Sequence, residues 1–254
     1  MTDVQVYRPG LRAFAEMLVC ELKMVARDTA GLIVPIGLPM LILVVNASSA
    51  GDQVVAHGRT ALDVFVLPLV FTMVVATTGV INMPSFLAYY RRSGILRRLG
   101  VTPVSPLLVL VAQAAVGMLQ IAVGVAAAWG LAALAFGANP PVRVGVALGV
   151  LALTVTAMYA VGMIVAALSP TPNSSVAIGL TVFFLMGAAG GMFGGVAGLP
   201  EAVATVGGWL PFGAGLQALS AAWVGAPVAA AHLVSLVVTV VAGTVIAVAF
   251  FRWD

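Results

Sequence analysis

The chain alternates long apolar blocks with short polar or proline-rich interruptions, and the blocks have the length of membrane-crossing helices. A helix of about 20 apolar residues spans the hydrocarbon core of a bilayer. The pattern predicts six spans, over residues 29–46, 61–84, 104–137, 143–169, 174–193 and 229–251. Pro35 and Pro39 interrupt the first, which a membrane helix tolerates when its neighbours supply donors to the carbonyls that proline frees. Residues 46–60 are polar, with Ser48, Ser49, Asp52, His57 and Arg59, and read as a loop. Pro84 closes the second span. The third is longer than a crossing requires, and a tilted helix that begins outside the bilayer accounts for the excess. Asn139 with Pro140 and Pro141, and the turn at 169–173 with Pro170 and Pro172, break the chain, because prolines this close cannot continue a helix.

Two segments depart from the simple alternation. Over residues 9–28, Leu11, Phe14, Leu18, Leu22 and Val25 recur at three- and four-residue intervals, while Arg12, Glu16, Lys23 and Arg27 lie largely elsewhere. Such an amphipathic helix lies in the membrane interface, its apolar face toward the acyl chains. Residues 193–228 are apolar but broken by Gly194, Gly195, Gly198, Pro200, Gly207, Gly208, Pro211, Gly213 and Gly215. A re-entrant pair of short helices fits better than a seventh span, provided its irregular backbone is buried in protein or faces water.

Composition settles the class. Hydrophobic residues make up 62% and charged residues 7% of the chain, against about 25% charge in a soluble domain. The chain therefore reads as an all-α integral membrane protein with a single transmembrane domain over 1–254. Charge placement orients it. With the N-terminus, residues 86–106, the 169–173 turn and the C-terminus in the cytosol, that side carries Arg8, Arg12, Lys23, Arg27, Arg91, Arg92, Arg97, Arg98 and Arg252, nine of the eleven basic residues. Arg59 and Arg143 fall on the other side, an asymmetry that supports cytosolic termini. The first 28 residues hold eight charges and no long apolar core, so they do not read as a cleavable signal peptide.

Several chemistries are excluded. The one lysine, Lys23, is followed by Met24, so the Gly-Lys-Ser/Thr core of a phosphate-binding Walker loop is absent. Asp63 and His232 fall near span ends and Glu201 in the broken segment, which leaves no mid-span carboxylate for a proton relay. A lone Cys20 excludes an intrachain disulfide and a cysteine-based metal site, and His57 and His232 are too far apart to form a metal constellation. No serine or threonine has a histidine and acid partner in view, so the chain does not read as an enzyme, and no metal or other cofactor is expected on it. What remains is the stretch from Phe86 to Pro106, with four arginines in an otherwise nearly uncharged region. Its arginines suit charge pairs with a cytosolic partner or with lipid headgroups, and nothing points to nucleic acid.

That stretch, with Tyr90, Arg91, Arg92, Gly94, Ile95, Leu96, Arg97, Arg98, Leu99, Gly100, Thr102 and Pro103 in register, resembles the arginine-rich signature between the second and third spans of the type-2 ATP-binding-cassette exporter permeases. A second, weaker match runs from Gly191 through Phe193 to Pro200, then Trp209 and Pro211, with Gly195 where that family often has proline. The resemblance covers the whole chain. It implies an elbow helix over 9–28, a coupling helix over 86–100, and an outward re-entrant hairpin over 194–224. Tyr90, Arg91, Arg92, Gly94, Arg97, Arg98 and Leu99 would meet the ATPase, and Phe193, Pro200, Glu201, Trp209 and Pro211 would form the exit-gate hairpin. It further implies two cytosolic ATPase subunits that bind ATP and Mg, a second permease chain (itself or a sister subunit), contact with membrane lipid, and a place in the bacterial cytoplasmic membrane. The expected activity is export of a hydrophobic or amphipathic compound, such as a drug, antibiotic or lipid. A non-transporting membrane anchor or assembly subunit and an ion-driven efflux carrier are the alternatives.

Overall fold

The computed structural model describes residues 10–50, 53–56, 58–95 and 106–250. In chain order these form α1 (Leu11–Arg27), α2 (Thr29–Ala50), a small antiparallel pair β1 (Val54–Ala56) and β2 (Arg59–Thr60), and α3 (Leu62–Arg92). Then follow α4 (Pro106–Phe136), α5 (Val144–Leu168), α6 (Pro172–Ala189), α7 (Glu201–Trp209), α8 (Pro211–Val224) and α9 (Ala230–Phe250). Six helices, α2 to α6 and α9, are long and apolar enough to cross a membrane.

Helix α3 is the axis of the bundle. About 89% of its most apolar window is buried, against 22–44% for the other five spans. The others surround it and leave apolar residues such as Leu41, Leu185 and Val241 outward, as a hydrocarbon-facing belt requires. Helix α3 can be central in part because its buried threonines are satisfied at home. The hydroxyls of Thr72, Thr77 and Thr78 donate to the carbonyls of Pro68, Met73 and Val74. Its neighbours reach it closely where they carry glycine: a Cβ on Gly162 of α5 would collide with the Gly79 carbonyl, and one on Gly179 of α6 would press on the Val80 carbonyl.

Two expectations are corrected. Pro84 does not end the second span. The backbone widens by one residue just ahead of each proline, with Leu67 N–H donating to Leu62 O and Met83 N–H to Thr78 O. Such a wide turn accommodates the missing donor and the ring clash that otherwise break a helix at Pro68 and Pro84. Helix α3 therefore continues to Arg92, and residues 86–92 are its last turns rather than the start of a separate helix. The polar segment from Asn46 is not all loop either. Asn46 and Ser49 donate to the Ile42 and Val45 carbonyls, and α2 runs to Ala50 before the β-pair begins.

The glycine- and proline-broken region forms two short helices. Helix α7 is largely exposed, whereas α8 is buried along most of its length against α3, α5 and α9. Gly207 and Gly213 permit this fold-back, since a Cβ on either would collide with backbone of α6 or α7.

Candidate functional site at the arginine end

Helix α1 docks its apolar face onto the end of α3 and the start of α4. Val25 packs with Phe86 and Val116, joined by Leu18, Leu22 and Met24, and Tyr90 with Val109, joined by Met17, Met24 and Ile95. The face expected to meet acyl chains is thus spent, from Met17 to Val25, on the protein itself. Within this contact Tyr90 is 3% and Glu21 5% exposed. The Tyr90 hydroxyl donates to Glu21 Oε1 at 2.6 Å, with Oε2 equally close. Burial raises the Glu21 carboxyl above its ordinary range, and the Tyr90 hydrogen bond opposes that shift.

Arg91 turns the other way. Its Nη2 donates to the carbonyls of Ala166 and of Ser169, the latter at 2.7 Å. These carbonyls belong to the last turn of α5 and to the residue that caps it, and a cation there satisfies end carbonyls and complements the helix dipole. Arg92 is exposed, and Gly94 has φ +70° as the backbone leaves the helix. At the end of α3, Tyr90 thus faces α1 and Arg91 faces α5, with Arg92 and Gly94 following. Arg97, Arg98 and Leu99 lie outside the described residues.

One layer deeper, polar side chains meet inside the bundle. Asn82 Nδ2 and Gln120 Nε2 donate to the Gly31 carbonyl at 2.9 and 2.7 Å. Gly31 lies four residues before Pro35, so its carbonyl is one that proline frees. Asn82 also donates to Gln120 Oε1, and Gln113 donates to the Met83 carbonyl. These residues line a small void with the buried hydroxyl of Tyr159, for which Gly117 leaves room.

The residues expected at the exit hairpin differ in exposure. Phe193 and Trp209 are 73% and 55% exposed, Pro200 and Glu201 are exposed at the start of α7, and Pro211 is buried at the start of α8. Trp209 contributes its carbonyl, which accepts a hydrogen bond from Ser235 at 2.6 Å.

The family model for ABC-2 type transporters matches residues 12–224. The chain belongs to that family. No curated protein matches it. As an ABC-2 protein it is a permease, the transport subunit of an ATP-binding-cassette transporter, and the family normally works with ATP-binding-cassette ATPase partners. The matched segment begins in α1 and ends with α8, so it includes the whole Glu21–Tyr90–Arg91 junction of this permease.

Neither Glu21 nor the Asn82, Gln113 and Gln120 group stood out from the sequence. Two signals were present. Gln113 and Gln120 are seven residues apart, hence on one helix face, and Gly31 sits four residues ahead of a proline inside a span. What pairs them is 30 to 89 residues away along the chain.

Proposed function

We propose that this permease exports a hydrophobic or amphipathic compound across the bacterial cytoplasmic membrane, driven by ATP hydrolysis in two cytosolic subunits. A second permease chain completes the membrane unit. In this reading α1 is the elbow helix, the end of α3 together with the residues up to 100 is the coupling element, and α7–α8 is an outward re-entrant hairpin. The ATP and Mg belong to the partner, since this sequence carries no Walker loop.

One observation carries the reading: α3 is a single helix from Leu62 to Arg92. A push on the arginine stretch therefore acts directly on the most buried helix of the bundle. Arg91 passes it to α5 through Ala166 and Ser169, and Tyr90 passes it to α1 through Glu21. Apolar spans without a mid-span carboxylate suit a hydrophobic or amphipathic substrate better than a sugar or an ion.

The test is the permease reconstituted with its ATPase. Arg92→Glu is expected to weaken subunit association, because it inverts an exposed charge. Arg91→Gln is expected to keep association but loosen the link between ATP turnover and transport, because it weakens the grip on α5. If Arg91→Gln, Arg92→Glu and Leu99→Ala all leave association, turnover and transport unchanged, the coupling role is wrong. If transport collapses with the proton gradient while ATP is plentiful, the driving force is wrong.

A further inference from the structure

Helices α4 and α5 are consecutive in the chain, yet they barely pack against each other. Their connection is pinned elsewhere. Asp63 at the start of α3 is fully buried and accepts hydrogen bonds from the Asn139 backbone and side chain at 2.8 and 3.0 Å. Arg59 donates to the Pro140 carbonyl, and Trp223 Nε1 donates to the Asn139 carbonyl. With the turn held on α3 and α8, the two spans splay and leave a cavity of about 710 Å3.

Its floor is Phe71, Leu219 and Trp223, with Trp129 beside them. Its walls are one face of α4 from Met118 to Trp129 and one face of α5 from Val144 to Thr156. Small side chains, Ala122, Ala126 and Ala152, keep it wide. The rim residues Met118, Val144 and Leu148 are 52%, 51% and 62% exposed, so the cavity opens sideways between two spans. Hydrocarbon is the phase outside that opening. The α5 wall extends about 18 Å, from ~1.5 Å of rise per residue, a little more than half of a ~30 Å hydrocarbon core. That is the depth of one leaflet.

The lining is almost wholly apolar. The Thr156 hydroxyl donates to Leu153 O at 2.8 Å, and the Trp223 N–H is already used. The mouth is different. Arg143, directly before Val144, is exposed, and among the described residues it forms no ion pair. An arginine at the head of an apolar shaft one leaflet deep matches a molecule with a phosphate at one end and a hydrocarbon chain at the other. We propose that this groove holds one acyl chain of a membrane glycerophospholipid, with its phosphate on Arg143. The site belongs to the single chain and does not depend on what the permease transports.

The test uses the intact chain in nanodiscs of phosphatidylcholine and phosphatidylglycerol, doped with a phosphatidylglycerol bearing a diazirine midway along one acyl chain. Photoadducts are expected to concentrate on 118–129 and 144–156. Ala126→Phe fills the groove and should remove most of them, with Ala152→Leu as the milder variant should Ala126→Phe not fold. Arg143→Gln should lower labelling about fivefold, the effect of one basic residue at an anionic surface. Val241→Phe, on the outer face of α9, should change nothing. Adducts spread evenly over all exposed helix faces, or labelling insensitive to both the filling variants and Arg143→Gln, would overturn the proposal. So would efficient disulfide formation between two copies of Leu148→Cys, since a second chain would then cover the opening.

Discussion

The Gly31 carbonyl offers a sharp test of how this bundle holds together. Pro35 removes the N–H that would normally serve it, and two side chains replace that donor: Asn82 of α3 at 2.9 Å and Gln120 of α4 at 2.7 Å. Either amide alone leaves the carbonyl with one donor. Asn82→Leu or Gln120→Leu should therefore each destabilise by about 0.6–1.7 kcal/mol, the range for single hydrogen bonds between membrane helices. The double variant orphans a buried carbonyl and adds a desolvation penalty of about 1–3 kcal/mol beyond the sum, less the Asn82–Gln120 hydrogen bond that each single variant already loses. Pro35→Ala restores an N–H at the right place in α2, so the same double substitution in that background should lose its excess. The measurement is reversible unfolding by steric trapping in bicelles, run on all eight combinations of the three sites. Additive amides with Pro35 present, or an excess that persists when Pro35 is replaced, would show that the amides serve some other purpose.

Other consequences follow from named contacts. A carboxyl raised by burial gains its stabilising protonated form at low pH. Docking of α1 on α3 should therefore be tightest below the ordinary glutamate value of 4.5 and weaken as pH rises through the raised value of Glu21. Hydrogen exchange over 11–27 reads this, and Glu21→Gln should flatten the profile. Gly162→Ala forces a methyl onto the Gly79 carbonyl and should destabilise by about 1–3 kcal/mol. Gly149→Ala meets open space on the same helix and should be neutral or stabilise by up to about 1 kcal/mol in thermal melts. Asp63→Ala strips the Asn139 turn of a buried acceptor and should cost about 2–4 kcal/mol, since two hydrogen bonds to a carboxylate are lost; an unchanged melting temperature would show that the turn does not need it.

How much of this was legible in the chain depends on the distance over which a residue's role is decided. The six apolar blocks are local facts: each run is long enough by itself, and the spans sit where the runs do. The amphipathic α1 is local too, because its period is visible within 17 residues. Pro84 misled for a physical reason. A proline ends a helix when nothing compensates, and the compensation, a turn widened over 77–82 with α5 and α6 backbones against it, is tertiary. The arginine stretch was conspicuous as charge, but its members turned out to differ. Arg91 is committed to α5 while Arg92 faces outward, and no pattern within the stretch separates them.

The buried polar groups lie at the far end of that scale. Glu21, Asn82 and Gln120 each read as a single polar residue in apolar surroundings, which on its own signals only an unfavourable position. Each becomes favourable through a partner on another helix: Tyr90 for Glu21, and the Gly31 carbonyl for the two amides. Both partnerships join α3 to an N-terminal helix, one on either side of Pro84. The central helix is thus held to α1 near its end and to α2 and α4 one layer deeper, where Asn82 closes the wide turn at 77–82. A force applied at Arg91–Arg92 would therefore meet two polar attachments before it reached the apolar core around Met158 and Phe183. Whichever attachment yields first sets where α3 bends. The amide layer has a proline-freed carbonyl, a proline four residues further along α2, and a widened turn in α3, so it is the weaker of the two. Bending is expected there, which the Pro35→Ala background would suppress.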